Sequence, residues 1–423
     1  MNLLTDDRFD IRHTVLPCGL TLVTVNTQSA FVSGSVVVAA GSTQDHEMKV
    51  PHGTAHFLEH MLAEGPGRDT GRHPLLVDVS CGVTMMTGLR ETTYGFFGRR
   101  EIGELALSRV CDMVFSSQWS PRDIAPERRV IATEIRRDWV SKRVWMESRR
   151  LTYPQNPEMW MSSAGREDSL VDIRQEQLSA FRERYYVPSR TIVIVAGGVD
   201  HDRIINLVSK RFGDSAPAGP DISSLRGLQI ATGDIEFLDP ETDGECELTY
   251  ALPPRREDRD RLELFCATLA CMEGPLIRRF RRNGDSYGVW AVVGDPLSPC
   301  VVVGGDSAGL NSEEVRCMLR EVVDGWVNSI NPAIARAVAN RQFDKELATF
   351  ENLEGKSSYQ DWAGIVLDEL LVENGSFSRL TVGEMLAGHP DDLAQALAET
   401  AKRLLDKPIG FFVTRKPKKK KKK

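Results

Sequence analysis

The chain of 423 residues has no apolar run approaching the ~18 residues that a membrane-spanning helix requires. It opens Met1-Asn-Leu-Leu-Thr-Asp-Asp-Arg, with acidic residues where a secretory leader carries a basic segment and an apolar core. No Cys-x-x-Cys pair occurs. The eight cysteines are scattered, and most lie in apolar runs such as Leu264-Phe-Cys266-Ala, so they read as reduced core thiols, neither a disulfide frame nor a zinc ribbon. Together these absences predict a cytoplasmic protein that does not enter a membrane.

A basic body is missing too. Net charge is −7, and Arg415, Lys416 and Lys418 to Lys423 supply eight positive charges, which leaves −15 on the rest. An acidic body argues against nucleic acid as a partner. The lysine run at 416–423 is expected to be a disordered basic tail, spread by its own repulsion. An added segment, a solubility tag and a weak tether to anionic surfaces are its open readings.

What is present is a soluble composition, 41% hydrophobic and 27% charged, over a length that suits two domains of about 200 residues. At its centre stands His52-Gly-Thr-Ala-His56-Phe-Leu-Glu59-His60-Met-Leu-Ala-Glu-Gly-Pro66. On a helix, residues four apart lie about 40° from each other, so His56 and His60 share a face and Glu59 flanks it. Two adjacent imidazoles suit a divalent transition metal, and Zn²⁺ accepts nitrogen ligands well. A carboxylate one step before the second histidine reaches a metal-bound water without being a ligand. This is the H-x-x-E-H order, reversed from H-E-x-x-H. The bland alternative is a buried helix whose histidines bond to neighbours. Burying three polar groups without partners is costly, so a third ligand is expected elsewhere. Thr54 is the expected N-cap, and Gly65-Pro66 the stop.

Two strands are expected within 12–41, His13 to Val25 alternating around a Pro17-Cys18-Gly19 turn and Phe31 to Ala40 before Gly41-Ser, with others at 81–88, 91–97 and 190–198. Helices are expected over 101–118, 126–148 and 174–185, with Pro126 at a first helical position. Glu127, Glu134 and Asp138 fall on one face of the second of these. The stretch 214–229, rich in Pro, Gly and Ser, reads as a linker. Beyond it the chain repeats itself. Phe265-Cys-Ala-Thr-Leu-Ala-Cys-Met-Glu-Gly-Pro275 overlays His56 to Pro66, and on that register His56, Glu59 and His60 become Phe265, Thr268 and Leu269. The second copy would keep the packing and lose the metal chemistry. Gly410-Phe-Phe-Val-Thr would close its sheet. The expected class is α+β, two homologous domains, each a mostly antiparallel sheet packed with helices. Boundaries fall at 1–213 for the zinc-binding domain, 214–229 for the linker, 230–415 for the second domain and 416–423 for the tail.

Taken in order, Leu16-Pro-Cys-Gly-Leu, Ala40-Gly-Ser, Gly53-Thr-Ala-His-Phe-Leu-Glu-His-Met, Glu127-Arg-Arg-Val-Ile-Ala-Thr-Glu-Ile and Tyr186-Val-Pro-Ser-Arg-Thr resemble blocks of the M16 metallopeptidases. These are the inverzincins, with a LuxS-like metallohydrolase fold. The resemblance is to the half-length branch that includes mitochondrial processing peptidase. It implies His56, His60 and Glu134 as zinc ligands, Glu59 as general base, and Glu127 as the carboxylate orienting a ligand histidine. It also implies Arg281 and Tyr287 as substrate-touching residues of the second domain, although they stand one residue closer than usual and Asp285-Ser286 replaces a small apolar pair. A solvated basic face explains the arginines as well. The substrate strand falls at Val83, Thr84, Met85, Met86 and Thr87, where Thr84 to Met86 replace the usual Asn-Ala. The implied activity is a zinc endopeptidase acting on peptides or unfolded segments that add as a β-strand inside a dimeric clamshell, as a homodimer or with a related subunit. A non-catalytic partner subunit and a dedicated maturation peptidase for a modified peptide are the competing readings.

Overall fold

The computed structural model describes residues 10–27, 29–64, 81–116, 118–212, 233–238, 245–251, 256–282, 288–294, 300–306, 311–351 and 385–415. The expected helix stop at Gly65-Pro66, the linker at 214–229, Tyr287 and the tail at 416–423 lie outside the described residues. The strands are β1 (Asp10–Val15), β2 (Thr21–Asn26), β3 (Phe31–Val38), β4 (Gly82–Thr87), β5 (Thr92–Arg99) and β6 (Thr191–Gly197) in the first half. The second half holds β7 (Gly233–Leu238), β8 (Glu245–Ala251), β9 (Val289–Val293), β10 (Cys300–Asp306) and β11 (Gly410–Arg415).

The first sheet runs β1-β2-β6-β3-β5-β4 and the second β7-β11-β8-β10-β9. Set β1 aside and both follow one path: first strand, fifth, second, fourth, third. The pairing sense matches as well. β2 with β6 and β7 with β11 are parallel, and every other neighbouring pair is antiparallel. The chain is thus an α+β protein built twice on one sheet plan, as its internal repeat predicts. Each sheet has its own apolar core, one around Leu22, Val36, Tyr94 and Val193, the other around Leu248, Phe265, Val303 and Leu319.

Two sequence expectations need correction. Residues 12–41 contain parts of three strands where two were expected. The chain reverses at Pro17-Cys18-Gly19, with the Gly19 amide donating to the Leu16 carbonyl at 2.8 Å and Gly19 at φ +86°, so β1 and β2 form a hairpin. The long helix begins at Pro121, not Pro126, and runs to Thr152. Pro121 takes the first position, and Asp123 Oδ2 accepts from the Ser120 amide at 2.7 Å, satisfying the start of the helix. Pro126 is inside, lacking the N–H that a helix interior uses four residues back.

In the second half, the helix Arg256–Ala270 carries Phe265, Thr268 and Leu269, all fully buried. Thr268 donates to the Phe265 carbonyl and accepts from Trp326 Nε1 at 3.0 Å. Apolar packing and one indole bond occupy the positions that His56, Glu59 and His60 hold in the first half. Among the described residues no helix is long and apolar enough to cross a membrane.

Candidate metal centre

The histidine helix spans Thr54–Glu64. Ala55, Phe57, Leu58, Met61 and Leu62 drive it into the first core, Phe57, Leu58 and Leu62 with no exposure. Each such side chain contributes about 1.5–3 kcal/mol of burial. The apolar stripes cover so much of the helix that His56 and Glu59 are themselves 7% and 6% exposed.

Its N-terminus is held differently from the expectation of a Thr54 cap. Thr54 is the first helical residue, and its hydroxyl donates to the Pro51 carbonyl at 2.6 Å. The capping acceptor is Asp45, on the short helix Ser42–Met48. Its Oδ2 accepts from the Gly53 amide at 2.8 Å and its Oδ1 from the Ala55 amide at 2.9 Å. A carboxyl group placed at a helix N-terminus satisfies orphan amide donors there. Burial pushes Asp45 up to about 8, against the pull of these amide bonds. Gly53 sits at φ +98°, and a Cβ there would come within 3.0 Å of the Ala164 carbonyl and the Gly165 Cα, so the helix entry packs on a neighbouring backbone that only glycine admits.

The long helix crosses this one and brings Glu127 and Glu134 to it, two helical turns apart. His60 Nδ1 lies 2.7 Å from Glu127 Oε1, a carboxylate 1% exposed. That bond leaves His60 Nε2 turned to Glu134, whose Oε2 is 3.3 Å away, while Glu134 Oε1 is 3.8 Å from His56 Nε2. The two imidazoles stand nearly edge to face, centroids 4.6 Å apart. One donor atom from each of His56, His60 and Glu134 lies within 4.8 Å of the others. Two neutral nitrogens and one anionic oxygen, with His60's outer nitrogen fixed by a carboxylate, fit a catalytic zinc site that keeps an open position.

The electrostatics follow. Burial lowers the His60 imidazolium, but Glu127, Glu134 and Glu59 outweigh it and raise it to about 10. The bond to His60 holds Glu134 below the usual carboxylate range. Without a metal, the cluster is an ion pair whose proton a cation must displace. Glu59 is pushed up to about 7 by burial, with the Thr87 bond and His60 acting against the rise.

The remaining expected residues divide. Val83 to Thr87 lie in β4, at the edge of the first sheet among the described residues. Met86 is exposed, whereas Thr87 is buried and its hydroxyl donates to Glu59 Oε2 at 2.7 Å. Arg281 is exposed near the end of the helix Pro275–Arg282. Asp45 and the Thr87 contact were not legible in the sequence, because each pairs groups that only the fold brings together.

Two family models match in chain order, "Insulinase (Peptidase family M16)" at 21–152 and "Peptidase M16 inactive domain" at 172–304. The chain is 27% identical over 244 residues to the mitochondrial-processing peptidase subunit beta of Caenorhabditis elegans, covering 57% of this chain and 50% of that one. It is 31% identical over 205 residues to an uncharacterized zinc protease of Mycobacterium leprae, covering 48% and 46%. The chain spans about half the length of the curated relatives it matches. Among solved structures, a protease from Helicobacter pylori aligns with TM-score 0.75 at 17% identity, over 97% of this chain and all of the other. An M16 inactive-domain protein from Pseudomonas fluorescens aligns with TM-score 0.75 at 15% identity, over 97% and 99%. Both of the family's domain models are matched, and the two-domain fold is shared almost end to end. The chain belongs to the M16 peptidase family.

Proposed function

We propose that the protein is a zinc-dependent endopeptidase. The observation that carries this reading is the convergence of His56, His60 and Glu134 around one point, with Glu59 close enough to feel the charges of His60 and Glu134. Those three residues would hold the ion, and zinc when bound polarises a carbonyl and acidifies water. Glu59 takes a proton from the attacking water and returns it to the leaving amine. Glu127 holds His60 in one tautomer throughout. In this reading 1–213 is the catalytic unit, 214–229 a linker and 230–415 a homologous partner without metal chemistry.

A peptide would add alongside β4, the edge strand of the first sheet among the described residues, recognised through its main chain, with Thr84 and Met86 on one side of the strand. Arg281 and Tyr287, from the facing half of a closed dimer, would grip the substrate and stabilise its oxyanion. The partner is a second copy or a related M16 subunit. Eight free thiols, among them the fully buried Cys18, Cys111 and Cys246, support a reducing, cytoplasmic setting. The complete donor set weighs against a purely structural subunit.

Glu59→Gln tests the reading. The variant should bind zinc at the wild-type ratio and lose cleavage of an unfolded reporter peptide, as the wild type should under chelation. Persistent cleavage by the zinc-loaded variant would refute it.

A further inference from the structure

We infer that Thr87 is a positioning residue for Glu59, selecting which carboxylate oxygen takes the proton; this rests on the peptidase reading above. The Thr87 hydroxyl donates to Glu59 Oε2 at 2.7 Å, and both residues are 6% exposed. A glutamate has a broad terminal torsion, so an unrestrained carboxylate rotates freely. A β-branched threonine is stiff at χ1, and its hydroxyl has one hydrogen to give.

The frame behind that hydroxyl is closed. Thr87 pairs with Thr92 on β5, and the fully buried Thr92 hydroxyl donates to the Ala40 carbonyl at 2.9 Å. In the turn that follows, the Gly88 and Leu89 carbonyls accept from the Ser42 and Thr43 amides at 3.1 and 2.9 Å. Those residues open the short helix whose Asp45 caps the histidine helix. Thr87 and Glu59 are therefore joined by a ring of bonds, and the ring sets their separation.

The chemistry follows from the bond. With Oε2 already accepting from Thr87, the proton leaving water forms its new O–H bond at Oε1. That bond later breaks as the proton passes to the leaving nitrogen, and the carboxylate is restored. Without the threonine hydroxyl, either oxygen takes the proton, and transfer awaits a rotation of the carboxyl group. Thr87 is also the last residue of the strand proposed to seat the peptide, so one strand both aligns the substrate and orients the base. Its side chain is turned inward; only its backbone faces a docked peptide.

The test compares Thr87→Val, which removes the hydroxyl at nearly constant shape, with Thr87→Ser, which keeps it. Thr87→Ala is a second hydroxyl-free variant, so the outcome does not depend on one replacement packing well. In the full-length, zinc-loaded protein, the hydroxyl-free variants should bind zinc normally and lose about 10- to 100-fold in kcat at unchanged KM, the scale of a misplaced catalytic group. Thr87→Ser should recover most of the loss. Crystal structures of the variants give a readout independent of activity: Glu59 should leave its position without the hydroxyl and keep it in Thr87→Ser. An unmoved Glu59 with kcat within about twofold of wild type, or a serine variant as impaired as valine, would overturn the inference. If the wild type shows no zinc-dependent cleavage, the peptidase reading falls, while the variant structures still decide whether Thr87 positions Glu59.

Discussion

Nδ1 of His60 and Oε1 of Glu127 stand 2.7 Å apart across the contact between the histidine helix and the long helix. The bond fixes the imidazole's tautomer and leaves Nε2 for a cation. Removing the carboxylate charge with Glu127→Gln should weaken zinc binding by about 10- to 100-fold. Competition against a chromophoric chelator measures this. Unchanged affinity would mean that the helix alone orients His60.

Asp45 gives the fold a pH dependence of determinate sign. Its pKa stands at about 8 against an ordinary 3.8, raised by burial. The native state therefore keeps a proton that the unfolded chain loses from about pH 4 upward, so the stabilisation is complete below that pH and is lost as pH rises towards 8. The stability difference between wild type and Asp45→Asn should fall across this window by at most about 1.4 kcal/mol per pH unit. Urea unfolding of the two proteins at matched pH values reads the slope. A flat difference would show that Asp45 is already ionised in the native state.

The second-half counterpart of the histidine helix should matter to folding alone. Phe265 takes the position equivalent to His56 and is fully buried. Phe265→Ala should cost about 3–5 kcal/mol of stability through the cavity it leaves. Zinc stoichiometry of the folded fraction should be unchanged. A loss of zinc from well-folded protein would tie the second half to the metal site.

Local chemistry and periodicity make much of the fold and the site legible in the sequence. The i, i+4 histidines with an intervening glutamate needed only helical geometry, as did the common face of Glu127 and Glu134. The repeat was visible because Glu-Gly-Pro recurs after matching apolar patterns, and the two sheets follow one strand path. Two helix starts depart from the local sequence pattern because competing caps decide them. Pro126 looked like a first position until Ser120, Pro121 and Asp123 supplied a better one. Thr54 looked like a cap until a carboxylate from another helix took the role.

The residue types and their spacing along each helix were therefore determined by the sequence alone, because side chains three, four or seven apart on a helix share a face whatever surrounds them. Tertiary structure alone decided which residues meet across elements: Glu127 on His60, Asp45 under Gly53 and Ala55, Thr87 on Glu59. Such contacts depend on how helices cross and where a strand ends against them. Those geometries are set by the packing of the whole core, and no local pattern in the chain encodes them.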